Sequence, residues 1–341
     1  MMDNYGFYTG KSFDAYEFFG CHTDENGAVF RVFAPAAVRI SVIGEFNGWQ
    51  DTPMNKIGDG NFWAVYIEGV KPGQMYKYKI YKPDGSCMDH CDPYGYGMEL
   101  RPASASIVRN LYGYEFQDDA WMKKRSNGVA SALNIYEIHA GSWKKPQNGW
   151  YRYDELAMQL VPYLKEYGYN YIELLPIGEH PCDESWGYQC SGFYSPTSRY
   201  GTLDDYKKMI DILHHNDIGV IMDFVPVHFA VDAYALAKFD GTALYEYPHK
   251  DVGNSEWGSC NFMHSRGEVR CFLQSCANYW LKEYHVDGLR MDAISNMIYW
   301  QGNPARGVNK DAVAFLQNMN EGLVNRHSGI LLAAEDSTVY P

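Results

Sequence analysis

Gly219-Val-Ile-Met-Asp-Phe-Val-Pro-Val-His228 is a short apolar run with a carboxylate set near its end. Its first residues show no polar–apolar alternation, so a strand here is buried on both faces, as in a parallel sheet covered by helices. Four more runs rich in Ile, Val and Leu share that form, at 134–138, 169–175, 286–293 and 329–334. Helical spacing fills the gaps. Residues 203–215 have Thr202 at the N-cap, Asp204 and Asp205 in the first turn, and Gly219 beyond the end. Residues 268–284 carry Val269, Phe272, Cys276, Trp280 and Tyr284 on one helical stripe. Such β/α repeats predict either an open sheet or the first part of a (β/α)8 barrel, about five of its eight units. No glycine-rich dinucleotide fingerprint follows the first run, so a nucleotide-binding sheet is unsupported. Polar residues gather instead at the run ends: Glu137 and His139, Glu173, Asp223 and His228, Arg290 and Asp292, Glu335 and Asp336. In a barrel, that end of the strands is the catalytic face.

Upstream the period changes. Residues 27–108 read as short strands at 28–35, 38–44, 62–67 and 76–81, broken by Asn47-Gly48, Pro72-Gly73 and Pro83-Asp84-Gly85. That pattern predicts an antiparallel β-sandwich, with Val29 and Phe33 on the alternating strand face. A short helix is expected over 11–19 and a linker over 109–130. The expected organisation is therefore multidomain: a sandwich with a leading helix over 1–118, then an incomplete barrel over 119–341.

The composition narrows the function. A formal charge of −13 argues against nucleic-acid backbones, which need a Lys/Arg surface. No basic run or membrane-length apolar stretch occurs, and Met1-Met2-Asp3-Asn4-Tyr5 lacks the start of a secretory signal, so the expected location is the cytoplasm. The eight Cys have no zinc-site spacing and read as free thiols; no metal or cofactor is expected. Aromatic residues reach 16%, which serves a core or a surface that stacks on flat-faced ligands.

Arg290-Met-Asp292 closes one strand, and alternation points Arg290 and Asp292 to the same face. An Arg beside an Asp is expected to keep the carboxylate ionised, as a nucleophile requires. Glu335 follows Leu331-Leu-Ala-Ala334, an apolar setting expected to raise its pKa toward that of a general acid. Two carboxylates with divided roles suit retaining glycosyl transfer. A purely structural Arg–Asp pair fits the same spacing.

Asp223-Phe-Val-Pro-Val-His228, Gly288-Leu-Arg-Met-Asp292 and Ala334-Glu-Asp-Ser-Thr338 resemble three ordered motifs of the α-amylase superfamily. Trp186-Gly-Tyr188-Gln189, followed by Phe193-Tyr-Ser-Pro-Thr-Ser-Arg199, is similar to the superfamily loop whose tyrosine stacks on the sugar in the cleaved position. The resemblance implies Asp292 as nucleophile, Glu335 as general acid/base, Arg290 as the residue orienting the nucleophile, His228 as a sugar ligand and Asp223 as the buried partner of the arginine. Ile135-Tyr-Glu-Ile-His-Ala-Gly-Ser-Trp143, Glu173-Leu-Leu-Pro-Ile-Gly-Glu-His-Pro181 and Ile298-Tyr-Trp-Gln-Gly302 narrow the resemblance to the front part of 1,4-α-glucan branching enzymes. Phe33-Ala-Pro35 and Phe46-Asn-Gly-Trp49 resemble their carbohydrate-binding module, where Trp49 and Trp63 are candidates to stack on glucan. An α-glucan partner is implied, with no nucleic acid or membrane; no motif sets an oligomeric state. The family's third aspartate, near strand seven, has no match up to Pro341, so these 341 residues alone are expected to be inactive. An α-1,6 debranching or trehalose-forming hydrolase shares most of these motifs, and a non-catalytic glucan-binding protein is the rival of another class. Along the half-barrel, Ile135, Leu174 and Leu332 are expected to point inward.

Overall fold

The computed structural model describes residues 3–127 and 132–340. It begins with α1 (Asn4–Tyr8), capped by the Asp3 carboxylate, which accepts from the Gly6 N–H. The expected helix over 11–19 is absent except for one 3-10 turn at Ala15–Glu17. Its carbonyls are used elsewhere: the Gln274 amide donates to Gly10 and Ser12, and Asn278 Nδ2 to Phe13. A carbonyl spent on a side chain cannot also close a helical turn.

Two antiparallel sheets follow. β1 (Gly20–Thr23), β2 (Gly27–Phe33), β5 (Asn55–Ile57) and β6 (Phe62–Glu68) form one, in the order β1-β2-β6-β5. β3 (Arg39–Gly44), β4 (Thr52–Pro53), β7 (Met75–Tyr81), β8 (Cys87–His90) and β9 (Ser106–Ile107) form the other, β4-β3-β7-β8 with β9 also on β7. The inner face of β2 is Ala28, Phe30 and Val32, one residue out of step with the face expected from Val29. Phe33 is buried too, because Phe7 of α1 packs edge-on against it at 5.1 Å. Trp63 is core: 4% exposed, with its indole N–H donating to the Ala34 carbonyl, so it offers no face to a sugar. Trp49 is 42% exposed at the tip of a turn.

The second half is a parallel sheet: β10 (Ile135–Ile138), β11 (Tyr171–Leu174), β14 (Gly219–Phe224), β17 (Gly288–Met291) and β18 (Leu331–Ala334), paired in that order. Two short antiparallel ribbons lie beyond its strand ends, β12 (Gly178–Glu179) with β13 (Gly192–Pro196), and β15 (His228–Phe229) with β16 (Cys260–Asn261). Helices α3 (Tyr153–Tyr167), α4 (Leu203–His215), α5 (Lys250–Gly253), α6 (Gly267–Glu283), α7 (Ser295–Ile298) and α8 (Lys310–Arg326) occupy the crossovers. Thr202 caps α4 in a reciprocal box with Asp205. α6 is buried nearly all round, because it is wedged between the barrel and the N-terminal leader. The apolar core is therefore continuous between sandwich and barrel, through contacts such as Tyr94–Tyr194 and Tyr96–Tyr279.

Part of the expected linker is α2 (Asp119–Ser126), while 128–130 lie outside the described residues. α2 buries Trp121 and Arg125 under the N-terminal ends of the strands. The Trp121 N–H donates to Asp287, whose other oxygen accepts from the Val220 N–H and meets His214 Nε2. Arg125 donates to the Val286 carbonyl, and His214 and His285 both reach Asp118. Its sequence lacks an apolar stripe because only two of its side chains are buried.

Register sets which residues face inward. Glu137, Glu173 and Ile221 are level across β10, β11 and β14, and Asp223, Arg290 and Ala333 across β14, β17 and β18. Alternation then puts Leu174 and Leu332 on the opposite, helix-covered face, contrary to expectation; Leu174 is fully buried there. Ile135 is on the inward row.

Candidate active site

The inward row brings the predicted carboxylates to one place. Asp223 sits within β14 with its side chain fully buried. Its Oδ2 accepts from the Tyr188 hydroxyl at 2.6 Å and from Arg290 Nη1 at 3.0 Å. The same Nη1 donates to Asp292 at 2.9 Å, while Nη2 reaches Glu335 at 3.1 Å. One guanidinium therefore serves three carboxylates.

The turn after β17 makes this possible. Ala293 adopts a left-handed φ of 47°, a strained choice for a residue with a Cβ. That conformation aims its N–H at Glu335 Oε2, 3.1 Å away. Backbone bonds from Ile294 N to the Glu335 carbonyl and from Glu335 N to Met291 lock the two strand ends together.

The expected division of pKa values is reversed. Burial pushes Asp292 up to about 6, against Arg290 and with the help of the Glu335 charge. Glu335 is half-exposed; burial is the largest single influence and raises it, but the Ala293 N–H, Arg290 and Asp292 together outweigh it and hold it below the usual range. The apolar run before Glu335 does not enclose its carboxyl, because the side chain projects beyond the strand end. Asp292 and Glu335 titrate as a pair. Burial also drives Asp223 to about 7, reinforced by Glu173 and Asp292. Glu173 is raised by burial and by Glu137. His228 is buried and pulled down to about 4 by desolvation, so its ring is neutral at pH 7, and its Nδ1 has no partner.

Asp292, Glu335, Tyr188, Gln189 and His228 line one cleft of about 500 Å³. Trp186 does not join them. It is 55% exposed at a positive φ and faces a neighbouring depression of about 280 Å³ beside His139. Further residues line the main cleft without having been anticipated, among them Glu256, Trp257 and Asn296. Glu256 and Trp257 come from the long connection between β15 and β16, whose sequence carries no strand-end pattern. An exposed tryptophan in a polar stretch was the one available signal.

Residues 18–95 match carbohydrate-binding module 48 (isoamylase N-terminal domain), and residues 157–251 match the alpha amylase catalytic domain. Over its whole length the chain is 44% identical to the 1,4-alpha-glucan branching enzyme GlgB of Fusobacterium nucleatum, 56% of which it covers. It is also 44% identical to GlgB of Bacillus caldolyticus, covering 100% of this chain and 53% of that protein. A solved pullulanase from Bacillus acidopullulyticus superposes with a TM-score of 0.71 over 95% of this chain and 42% of that chain; at 21% identity it speaks for the fold alone. The chain thus spans about half the length of the curated relatives it matches. Motifs and whole-chain identity agree: over its full length the chain is similar to 1,4-alpha-glucan branching enzymes.

Proposed function

We propose that the cleft carries out the first half of glucan branching by a retaining double displacement. Asp292 attacks the anomeric carbon of an α-1,4 link while Glu335 protonates the departing glucosyl oxygen, leaving a covalent glycosyl–Asp292 ester. Glu335, now a carboxylate, takes the proton from the 6-hydroxyl of a second glucan chain as that oxygen displaces Asp292, and an α-1,6 link results. Arg290 positions Asp292. Tyr188 and neutral His228 hold the sugar at the cleaved position, Asp223 anchors Arg290 and Tyr188 from below, Gln189 fixes the cleft wall and Trp186 supports the glucan beyond it.

The observation that carries this reading is Arg290, fixed by buried Asp223 and within reach of both Asp292 and Glu335. A structural Arg–Asp pair has no use for a second carboxylate on the same guanidinium. In a retaining transfer one carboxylate of the pair attacks and the other donates, and Arg290 reaches both.

The remainder of the proposal follows the family. The partner is an α-glucan, and the division falls at 118/119 between sandwich and barrel. The site of action is the cytoplasm; no described helix is long and apolar enough to cross a membrane. The test is the enzyme at its relatives' length acting on amylose. Iodine absorbance falls without a matching rise in reducing ends, and NMR shows new α-1,6 links. Reducing ends rising in step with cleavage would favour a debranching or trehalose-forming hydrolase.

A further inference from the structure

The segment from Ser255 to Ser259 is a tight knuckle at the rim of the cleft. Ser255 N donates to the Ser259 carbonyl at 2.9 Å, and Gly258 N to the Ser255 carbonyl at 3.2 Å. Gly258 takes φ 76°, which a side chain would resist. The base of the knuckle is the β15–β16 ribbon, which pairs His228 with Asn261, so His228 and the knuckle move as one unit. At the tip stands Trp257, 44% exposed yet fixed: its ring packs 5.1 Å from the His228 ring, and its carbonyl accepts from Gln189 Nε2 at 3.0 Å. Its neighbour Glu256 accepts from Asn296 Nδ2 at 3.2 Å through one oxygen.

Asn296 gives this rim a direction. Its N–H bonds the Ala293 carbonyl, and Ala293 in turn holds Glu335. The glutamate that protonates the leaving oxygen lies on the leaving-group side, the side an incoming acceptor later occupies. A rigid indole and an oxygen-rich neighbour are the elements of a sugar platform: the ring stacks on the C–H face and a carboxylate takes a hydroxyl.

We infer that Trp257 and Glu256 form the acceptor subsite, which aligns a glucan hydroxyl against the glycosyl–Asp292 ester and keeps water from that position. The inference rests on the proposed retaining transfer and adds what decides its outcome. In the second step the acceptor O6 forms its bond to the anomeric carbon, the Asp292 ester bond breaks with its electron pair returning to the carboxylate, and the O6 proton passes to Glu335. Water can follow the same path, so occupancy of the platform sets the ratio of transfer to hydrolysis.

The experiment compares wild type, Trp257→Ala, Trp257→Phe and Glu256→Gln in the enzyme at its relatives' length. Two quantities are read: the share of cleavage events ending in an α-1,6 link, and fluoride release from α-maltosyl fluoride, which needs no acceptor. Trp257→Ala should lower the transfer share about tenfold while fluoride release changes less than about threefold. Added maltoheptaose should restore transfer in part, and Trp257→Phe should keep most of it. Should Trp257→Ala not fold, Trp257→Phe and Glu256→Gln must still raise the acceptor concentration needed for half-maximal transfer. An unchanged transfer share, or fluoride release and transfer falling together without acceptor rescue, overturns the assignment. A wild type that forms no α-1,6 links defeats the branching proposal instead, and is recognised before any variant is made.

Discussion

The two ends of the parallel sheet hold similar charged side chains in opposite conditions. At the N-terminal end, Asp287 is satisfied on both oxygens by Trp121, Arg125, Val220 and His214. Asp118 there is held well below the usual carboxylate range, because hydrogen bonds from His214 and His285 outweigh the burial that would raise it. His214 is raised by Asp118 and Asp287 in spite of its burial. At the C-terminal end, one Arg290 serves Asp223, Asp292 and Glu335, while Asp223 Oδ1 and His228 Nδ1 lack partners. A polar network whose carboxylates are satisfied rigidifies a fold, even with the buried Arg125 Nε left without a partner. A short-handed one stores its unmet demand for a ligand, and perturbed carboxylates gather where chemistry occurs.

The largest expected effect tests the C-terminal end. In the enzyme at its relatives' length, Asp292→Ala should lower kcat on amylose by about 10⁴-fold or more, with the melting temperature unchanged or raised. Glu335→Gln should retain slow release of good leaving groups. Normal turnover in either variant would remove the assigned role. The mirror experiment is at the other end. Asp287→Ala should destabilise the 341-residue chain by about 3–5 kcal/mol, because it strands Arg125 and His214 in the interior. Urea denaturation measures this, and a loss under about 1 kcal/mol would mean that the network is decorative.

A smaller effect separates the ends by pH. Folded pKa values raised to about 7 at Asp223 and about 6 at Asp292 contribute stability below pH 4, which is lost as pH rises through 6 and 7. Asp118, shifted the other way, contributes stability above its unfolded value that is lost in acid. Asp223→Asn should therefore flatten the fall in unfolding free energy between about pH 5 and pH 8, by about 2 kcal/mol. A slope equal to that of the parent would place the raised pKa elsewhere. The smallest change in stability belongs to Trp49→Ala, within about 0.5 kcal/mol, since the ring is exposed. Weaker retention on an amylose column would identify it as a glucan contact, whereas Trp63→Ala should cost about 3–5 kcal/mol through the core.

Much of the architecture was legible because it follows local rules. The five apolar runs became strands within a few residues of their expected limits, and Thr202 marked the start of α4 at the residue. The strand-end polar residues converge because parallel register carries them to one level. What was not legible depends on distant partners. α2 buries just Trp121 and Arg125, the segment 11–19 gives carbonyls to α6, and Leu174 faces outward because register fixes its parity. The reversed pKa order of Asp292 and Glu335 reflects exposure, which a run of apolar neighbours does not measure. Glu256 and Trp257 reach the cleft through a hydrogen-bonded turn that no periodicity announces.

The clasp formed by Ala293, Ile294, Met291 and Glu335 also bears on how such barrels can be recombined. Segment exchange between homologous barrels commonly breaks the chain in a crossover, where few contacts are cut. Here the crossover from 295 to 330 is framed by backbone bonds that join its two ends. A chimera that takes Asp292 from one parent and Glu335 from another inherits two halves of one latch, machined for different partners. Exchange points placed before 288 or beyond 338 would carry the latch intact.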